Sequence, residues 1–141
     1  MSESVPFTWP VRVYYEDTDA GGVVFYANYL RFLERARTEW LRSYGFEQDQ
    51  LCEQYSIVFA VRAVEIKYQK PARFNEQLNV TVENIQLKQA SMAMQQSIYR
   101  LSEDQSELIV KSTVNVVCLH CDTFSPSPIP KPIFEVLKAC M

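Results

Sequence analysis

Two aspartates, Asp17 and Asp19, stand just before the glycine pair Gly21-Gly22 in the stretch VYYEDTDAGGVVFYANYLRFLERARTEW. A strand pattern stops there, the glycines supply backbone freedom, and a helical pattern starts a few residues later. The first turn of such a helix presents N–H groups without intrahelical partners and a positive dipole end. That is a place where a developing oxyanion can be stabilised. A carboxylate held beside it can attack a carbonyl carbon or activate water against it. Together these parts suit hydrolysis of an activated acyl group. The chain has no G-x-S-x-G elbow and no Cys/His pair at a recognised spacing, and it contains 1 histidine. A carboxylate is therefore the candidate base or nucleophile.

The same residues have plainer readings. Aspartates before glycines serve as turn residues that bond to nearby backbone. The D-x-D-x-G-G spacing imitates the opening of a calcium loop, but its twelfth position is Asn28, where a bidentate Glu is needed, and its ninth is Phe25. The aromatics Phe25, Tyr26, Tyr29 and Phe32 read as core and pocket wall rather than a cofactor box.

The elements that must hold this turn follow from periodicity. VRVYYED reads as a strand with Val11, Val13 and Tyr15 on one face. From Tyr26 the period changes: Tyr29, Leu30, Leu33, Ala36, Trp40, Leu41 and Tyr44 recur at three- and four-residue steps. This predicts an amphipathic helix of about five turns, roughly 27 Å long, ended by Gly45 as a left-handed cap. EQDQLCEQY predicts a shorter helix. SIVFAVRAVEIKYQ alternates on Ile57, Phe59 and Val61, then shifts phase to Val64, Ile66 and Tyr68, which predicts a bulge. LNVTVENIQLK, SMAMQQSIYRL and LIVKSTVNVVCL read as further strands, SEDQSE as a polar turn, and the Pro-rich tail as one short helix. The expected fold is α+β: a long helix wrapped by a curved antiparallel sheet of about five strands. The exposed sheet edge predicts pairing with a second subunit.

The 141 residues predict one domain spanning the chain. A formal charge of −3 excludes a general nucleic-acid binder. MSESVPFTWP has no basic segment followed by an apolar region, so no signal peptide is read, and no run is long enough to span a membrane. A cytoplasmic protein is expected. Cys52, Cys118, Cys121 and Cys140 accordingly read as reduced thiols. CLHC continues a strand, where residues three apart point to opposite faces, so a redox or zinc pair is not expected. His120 reads as a surface or interface residue. Lys67, Lys70 and Arg73, in and beside IKYQKPAR, are candidates for meeting the phosphates of a coenzyme. The helix arginines Arg31, Arg35 and Arg37 compete between that role, subunit contacts and pairing with glutamates.

YYEDTDAGGVVFYANYLRFLERARTEWL, with YQKPARFNEQLNV and VNVVCLHCDTFSPSPIP further on, resembles the hotdog-fold thioesterases of the 4-hydroxybenzoyl-CoA thioesterase type. Within them it is most similar to the acyl-CoA thioesterases associated with the Tol–Pal cell-envelope gene cluster. The resemblance implies hydrolysis of acyl-CoA to free acid and coenzyme A by a homo-oligomer, dimer or tetramer. Acyl carrier protein is a second candidate donor, and no metal or redox cofactor is implied. By position, Asp19 matches the catalytic carboxylate, as nucleophile or general base, and Asp17 a structural turn residue. Val24, Phe25 and Tyr26 match the residues whose backbone N–H polarises the thioester carbonyl, with Tyr26 the foremost donor; Gly22 joins the substrate-binding set. Many Tol–Pal-type relatives carry histidine where this chain has Tyr26, which bears on substrate preference, and FNEQL replaces a more acidic pair. The rival readings are a non-hydrolytic acyl-binding or scaffold protein, and a hotdog dehydratase, which would need a catalytic histidine near the motif.

Overall fold

A computed structural model describes residues 6–103 and 105–139. The first five residues of the segment read above as lacking a signal peptide, Asp104 of the polar turn, and Cys140 lie outside the described residues. Five strands form one antiparallel sheet: β1 (Phe7–Arg12), β2 (Ile57–Tyr68), β3 (Gln77–Leu87), β4 (Ser91–Leu101) and β5 (Ser106–His120), in the order β1-β3-β4-β5-β2. The helices are α1 (Tyr29–Ser43), α2 (Gln48–Tyr55) and α3 (Lys131–Ala139). Among the described residues, no helix is long and apolar enough to cross a membrane.

The helix α1 lies on the sheet through the stripe its periodicity marks. Phe32, Leu33, Ala36, Trp40 and Leu41 are buried, together with Leu78, Val80, Met94, Ile98 and Val114 of the strands. Each large apolar side chain sequestered in this way contributes roughly 1.5–3 kcal/mol, and Leu33→Ala would cost about 2–5 kcal/mol. One polar pin crosses this layer. The buried Gln96 of β4 donates to the Leu33 carbonyl at 3.0 Å and accepts from Arg37 Nη1 at 2.9 Å. Leu30 departs from the expected stripe and is exposed, as are Phe25 and Tyr26. Gly45 ends the helix at φ +90°, as its position predicts.

Two further departures have physical causes. The first strand runs earlier than expected, over Phe7–Arg12, with Pro10 inside it opposite Asn79. A proline is tolerated there because β1 is an edge strand with no neighbour on its other side among the described residues. Tyr15 consequently falls beyond the strand, in a 3-10 turn over Tyr15–Asp17, and is exposed rather than facing the core with Val11 and Val13. The phase change in β2 is a register shift against β5 between Val61 and Ala63. β2 is the opposite edge, and Val61, Arg62, Ala63, Val64 and Glu65 are exposed in succession.

The cysteines differ from expectation. Cys52 of α2 and Cys121, just past β5, form a disulfide with Cα atoms 5.7 Å apart, although 69 residues separate them in sequence. The short helix brings Cys52 against the end of β5, inside the distance a disulfide needs. Cys118 is a buried free thiol.

Candidate active site

The loop between β1 and α1 is closed by its own hydrogen bonds. Asp17 is buried; its Oδ2 accepts the Tyr14 N–H at 2.8 Å and its Oδ1 accepts the Asn28 side-chain amide at 2.7 Å. The Asp17 carbonyl also accepts the Phe25 N–H at 2.9 Å. Asp17 is thus a structural residue that ties the two ends of the loop. Inside that frame, the Asp19 N–H donates to Val23 at 2.9 Å and the Gly22 N–H to the Asp19 carbonyl at 3.0 Å. Gly22 adopts φ +81°, a conformation that costs a side-chain-bearing residue strain.

Asp19 sits at the exposed lip of this loop. Its Oδ1 accepts the Gly21 N–H at 2.8 Å, the turn contact that aspartates before glycines make. Oδ2 has no hydrogen-bond partner among the described residues. One oxygen therefore orients the carboxylate while the other faces solvent.

Across the loop, the chain enters a 3-10 turn over Tyr26–Asn28 and then α1. The Val24 N–H donates to Ala72 at 2.8 Å, and the Phe25 N–H to Asp17. Of the three amides in Val24–Tyr26, the Tyr26 N–H alone finds no carbonyl among the described residues. It stands where the first turn leaves donors unpaired and positive.

Two tyrosines, Tyr68 and Tyr29, brace this turn, and the motif marks neither of them for that role. The Tyr68 hydroxyl donates to the Tyr26 carbonyl at 3.1 Å, with the two rings edge to face. The Tyr29 hydroxyl accepts the Ala72 N–H at 3.0 Å, and its ring packs beside that of Tyr68. Burial pushes the Tyr29 hydroxyl above its ordinary value, against the opposing pull of the Ala72 bond. Burial, then the neighbouring Tyr26, raises that of Tyr68. These residues, with Val24, Lys70 and Pro71, line an open cavity of about 270 Å³. The sequence signal was tyrosine rather than phenylalanine on a buried helix face, since a buried phenolic oxygen needs a partner.

The candidate phosphate-binding residues divide. Arg73 pairs through its backbone with Val23, beside the loop, and is exposed. Lys70 lines the tyrosine cavity and forms an ion pair with Glu107, whose carboxyl is held below its ordinary value chiefly by that lysine. Lys67 is exposed on β2 opposite Lys111, and as the neighbour of Tyr68 it points to the other face. Arg100 fastens the 70–76 segment from behind, through Glu76 at 2.9 Å, Glu107 and the Pro71 carbonyl. Of the helix arginines, Arg35 lies over the Phe32 ring and Arg37 holds Gln96.

Chemically, a half-free carboxylate and an unpaired amide on one loop can bind and attack a polarised acyl group. Comparison with known proteins points the same way. The family model described as the thioesterase-like superfamily matches residues 13–138. The chain is 41% identical over 127 residues to the acyl-CoA thioesterase YbgC of Haemophilus influenzae, covering 90% of both. It is 40% identical over 132 residues to the acyl-CoA thioester hydrolase YbgC of Escherichia coli, covering 94% of this chain and 96% of that one. A 1,4-dihydroxy-2-naphthoyl-CoA thioesterase from Synechocystis superposes with a TM-score of 0.85 at 21% identity, over 95% of this chain and 96% of that one. A 4-hydroxybenzoyl-CoA thioesterase mutant complexed with 4-hydroxybenzoyl-CoA does so with a TM-score of 0.83 at 20% identity, over 93% and 97%. At those identities the likeness speaks for the fold, and the strand order and long helix are those expected of a hotdog domain.

Proposed function

The chain belongs to the thioesterase-like superfamily, and from that membership we propose that it hydrolyses acyl-CoA thioesters to the free acid and coenzyme A. The observation that carries the reading at the level of the site is the pairing, on one braced loop, of a carboxylate with one oxygen free and an amide with no acceptor among the described residues. The Tyr26 N–H donates to the thioester carbonyl oxygen and stabilises the charge that develops on it. Asp19 then acts in one of two ways. As nucleophile, its free oxygen adds to the carbonyl carbon, the C–S bond breaks, coenzyme A departs as thiolate and takes a proton, and water cleaves the mixed anhydride. As general base, it takes a proton from water, whose oxygen adds to the carbon directly; the C–S bond then breaks and the departing thiolate takes that proton. Both routes end in the same acid and thiol.

The remaining expectations belong to the same proposal. The domain spans the whole chain. Gly22, Val24 and Phe25 shape the pocket mouth, and Arg73 and Lys70 are placed to meet phosphates better than Lys67. The exposed run on β2, with Val61 and Val64 open to solvent at a sheet edge, supports a dimer or tetramer. A cytoplasmic setting is part of the same reading. The test is free-thiol release from short-chain, long-chain and aromatic acyl-CoAs and from acyl carrier protein thioesters. Turnover ranks the substrates and the carrier. Binding without turnover on every thioester would replace hydrolysis with acyl binding.

A further inference from the structure

Beside the loop of Asp19, the chain exposes aromatic surface that neither the core nor the chemistry above uses. Tyr15 is 75% exposed and Phe74 40% exposed, yet their rings lie one on the other, with centroids 3.8 Å apart and planes within 9°. Phe74 covers one face of Tyr15, and the opposite face looks into water. With Tyr14, Arg12 and Glu16 they wall an open cavity of about 770 Å³. A parallel aromatic pair left open on one side is a platform on which a further planar ring gains stacking contact.

The rim decides which ring fits. Arg12 is held in place by donating to the Asn75 carbonyl at 2.8 Å and to Gln77 Oε1 at 3.2 Å. Both acceptors are neutral, and among the described residues Arg12 joins no ion pair. Glu16 is exposed and equally without an ion pair there. A donor and an acceptor at the edge of a stacking platform match adenine, which presents an amino donor beside ring-nitrogen acceptors.

The platform shares a hydrogen-bonded frame with the reaction loop. Phe74 follows Arg73, the backbone partner of Val23. The Asn75 N–H donates to Val13 at 2.8 Å, and the Tyr14 N–H ends on Asp17. Arg73, exposed between platform and loop, is a cation along the path a pyrophosphate would take.

We propose that the Tyr15–Phe74 stack, rimmed by Arg12 and Glu16, seats the adenine ring of coenzyme A, an inference that rests on the acyl-CoA reading above. The test compares one acyl group carried by coenzyme A and by pantetheine, which lacks the nucleotide. Phe74→Ala is expected to raise KM for the acyl-CoA about tenfold and to leave KM for the acyl-pantetheine and both kcat values unchanged. Phe74→Trp, which keeps a stacking ring, should restore KM for the acyl-CoA. Equal shifts on both carriers, or none on either, would overturn the assignment. A calorimetric titration with adenosine 3′,5′-bisphosphate should show binding to the wild type, weakened in Phe74→Ala; no binding to the wild type would also overturn it. If the wild type turns over neither carrier, the hydrolytic reading fails, and the titration alone decides the platform.

Discussion

Asp17 Oδ1 and the side-chain amide of Asn28 meet at 2.7 Å, both buried, across the loop that carries Asp19. The contact joins the 3-10 turn that follows β1 to the start of α1, and Asp17 Oδ2 holds the Tyr14 N–H as well. The carboxylate that looks redundant in the motif is thus the one that sets the distance between the Asp19 carboxylate and the helix.

Asp17→Ala leaves the buried Asn28 amide and the part-buried Tyr14 N–H without their acceptor. It should lower unfolding free energy by about 3 kcal/mol, read from urea denaturation. Asp17→Asn keeps an acceptor for Tyr14 and should cost less than the alanine. Equal, small losses for both would mean that solvent reaches the contact.

Asp19→Asn retains an oxygen that can accept the Gly21 N–H, so the loop should persist while the charge is lost. Hydrolysis is expected to fall about 10³-fold, with unfolding midpoint and oligomer size unchanged. Undiminished thiol release would remove Asp19 from the chemistry.

Tyr68→Phe deletes the hydroxyl that holds the Tyr26 carbonyl and keeps the ring. A lost bond of about 1 kcal/mol corresponds to about fivefold in rate. The loss should appear in kcat with KM nearly constant, because the amide matters most when charge develops on the substrate oxygen. A change confined to KM would assign Tyr68 to binding instead.

The Cys52–Cys121 bond closes a loop over a sequence separation of 69 residues. Cys52→Ser, or reduction of the wild type, is expected to lower stability by about 4 kcal/mol or less, by restoring freedom to the unfolded chain. Denaturation curves with and without dithiothreitol should differ for the wild type and coincide for the variant.

Burial pushes the Cys118 thiol from 9.0 up to about 11. The folded state therefore holds its proton where the unfolded chain has released it. The contribution to stability is intact below pH 9 and declines as pH rises toward 11. At pH 8 Cys118 should resist thiol reagents until the protein unfolds. Rapid labelling of the native protein would show that the site opens.

Much of the fold was legible because its elements keep strict periods. The α1 stripe, the Gly45 cap and the β2 phase shift each followed from side-chain spacing alone. What escaped was decided by partners distant in sequence. Pro10 lies within a strand because β1 is an edge strand, with β3 its only neighbour among the described residues. Cys52 and Cys121 meet only after α2 docks against the end of β5. Within the site, the motif marked Asp19 and Tyr26, whereas Tyr68 and Tyr29 act through contacts that no local spacing encodes.

Those distant contacts also fix when the site can first exist. Tyr68 and Ala72 reach back across 42 and 43 residues to Tyr26 and Tyr29. A nascent chain that has made the loop and α1 still lacks the brace for its uncommitted amide. Pairings that span so much sequence are closed slowly and late. On refolding, catalytic activity should therefore return in step with the sheet, and a partly folded chain should hold no active centre of its own.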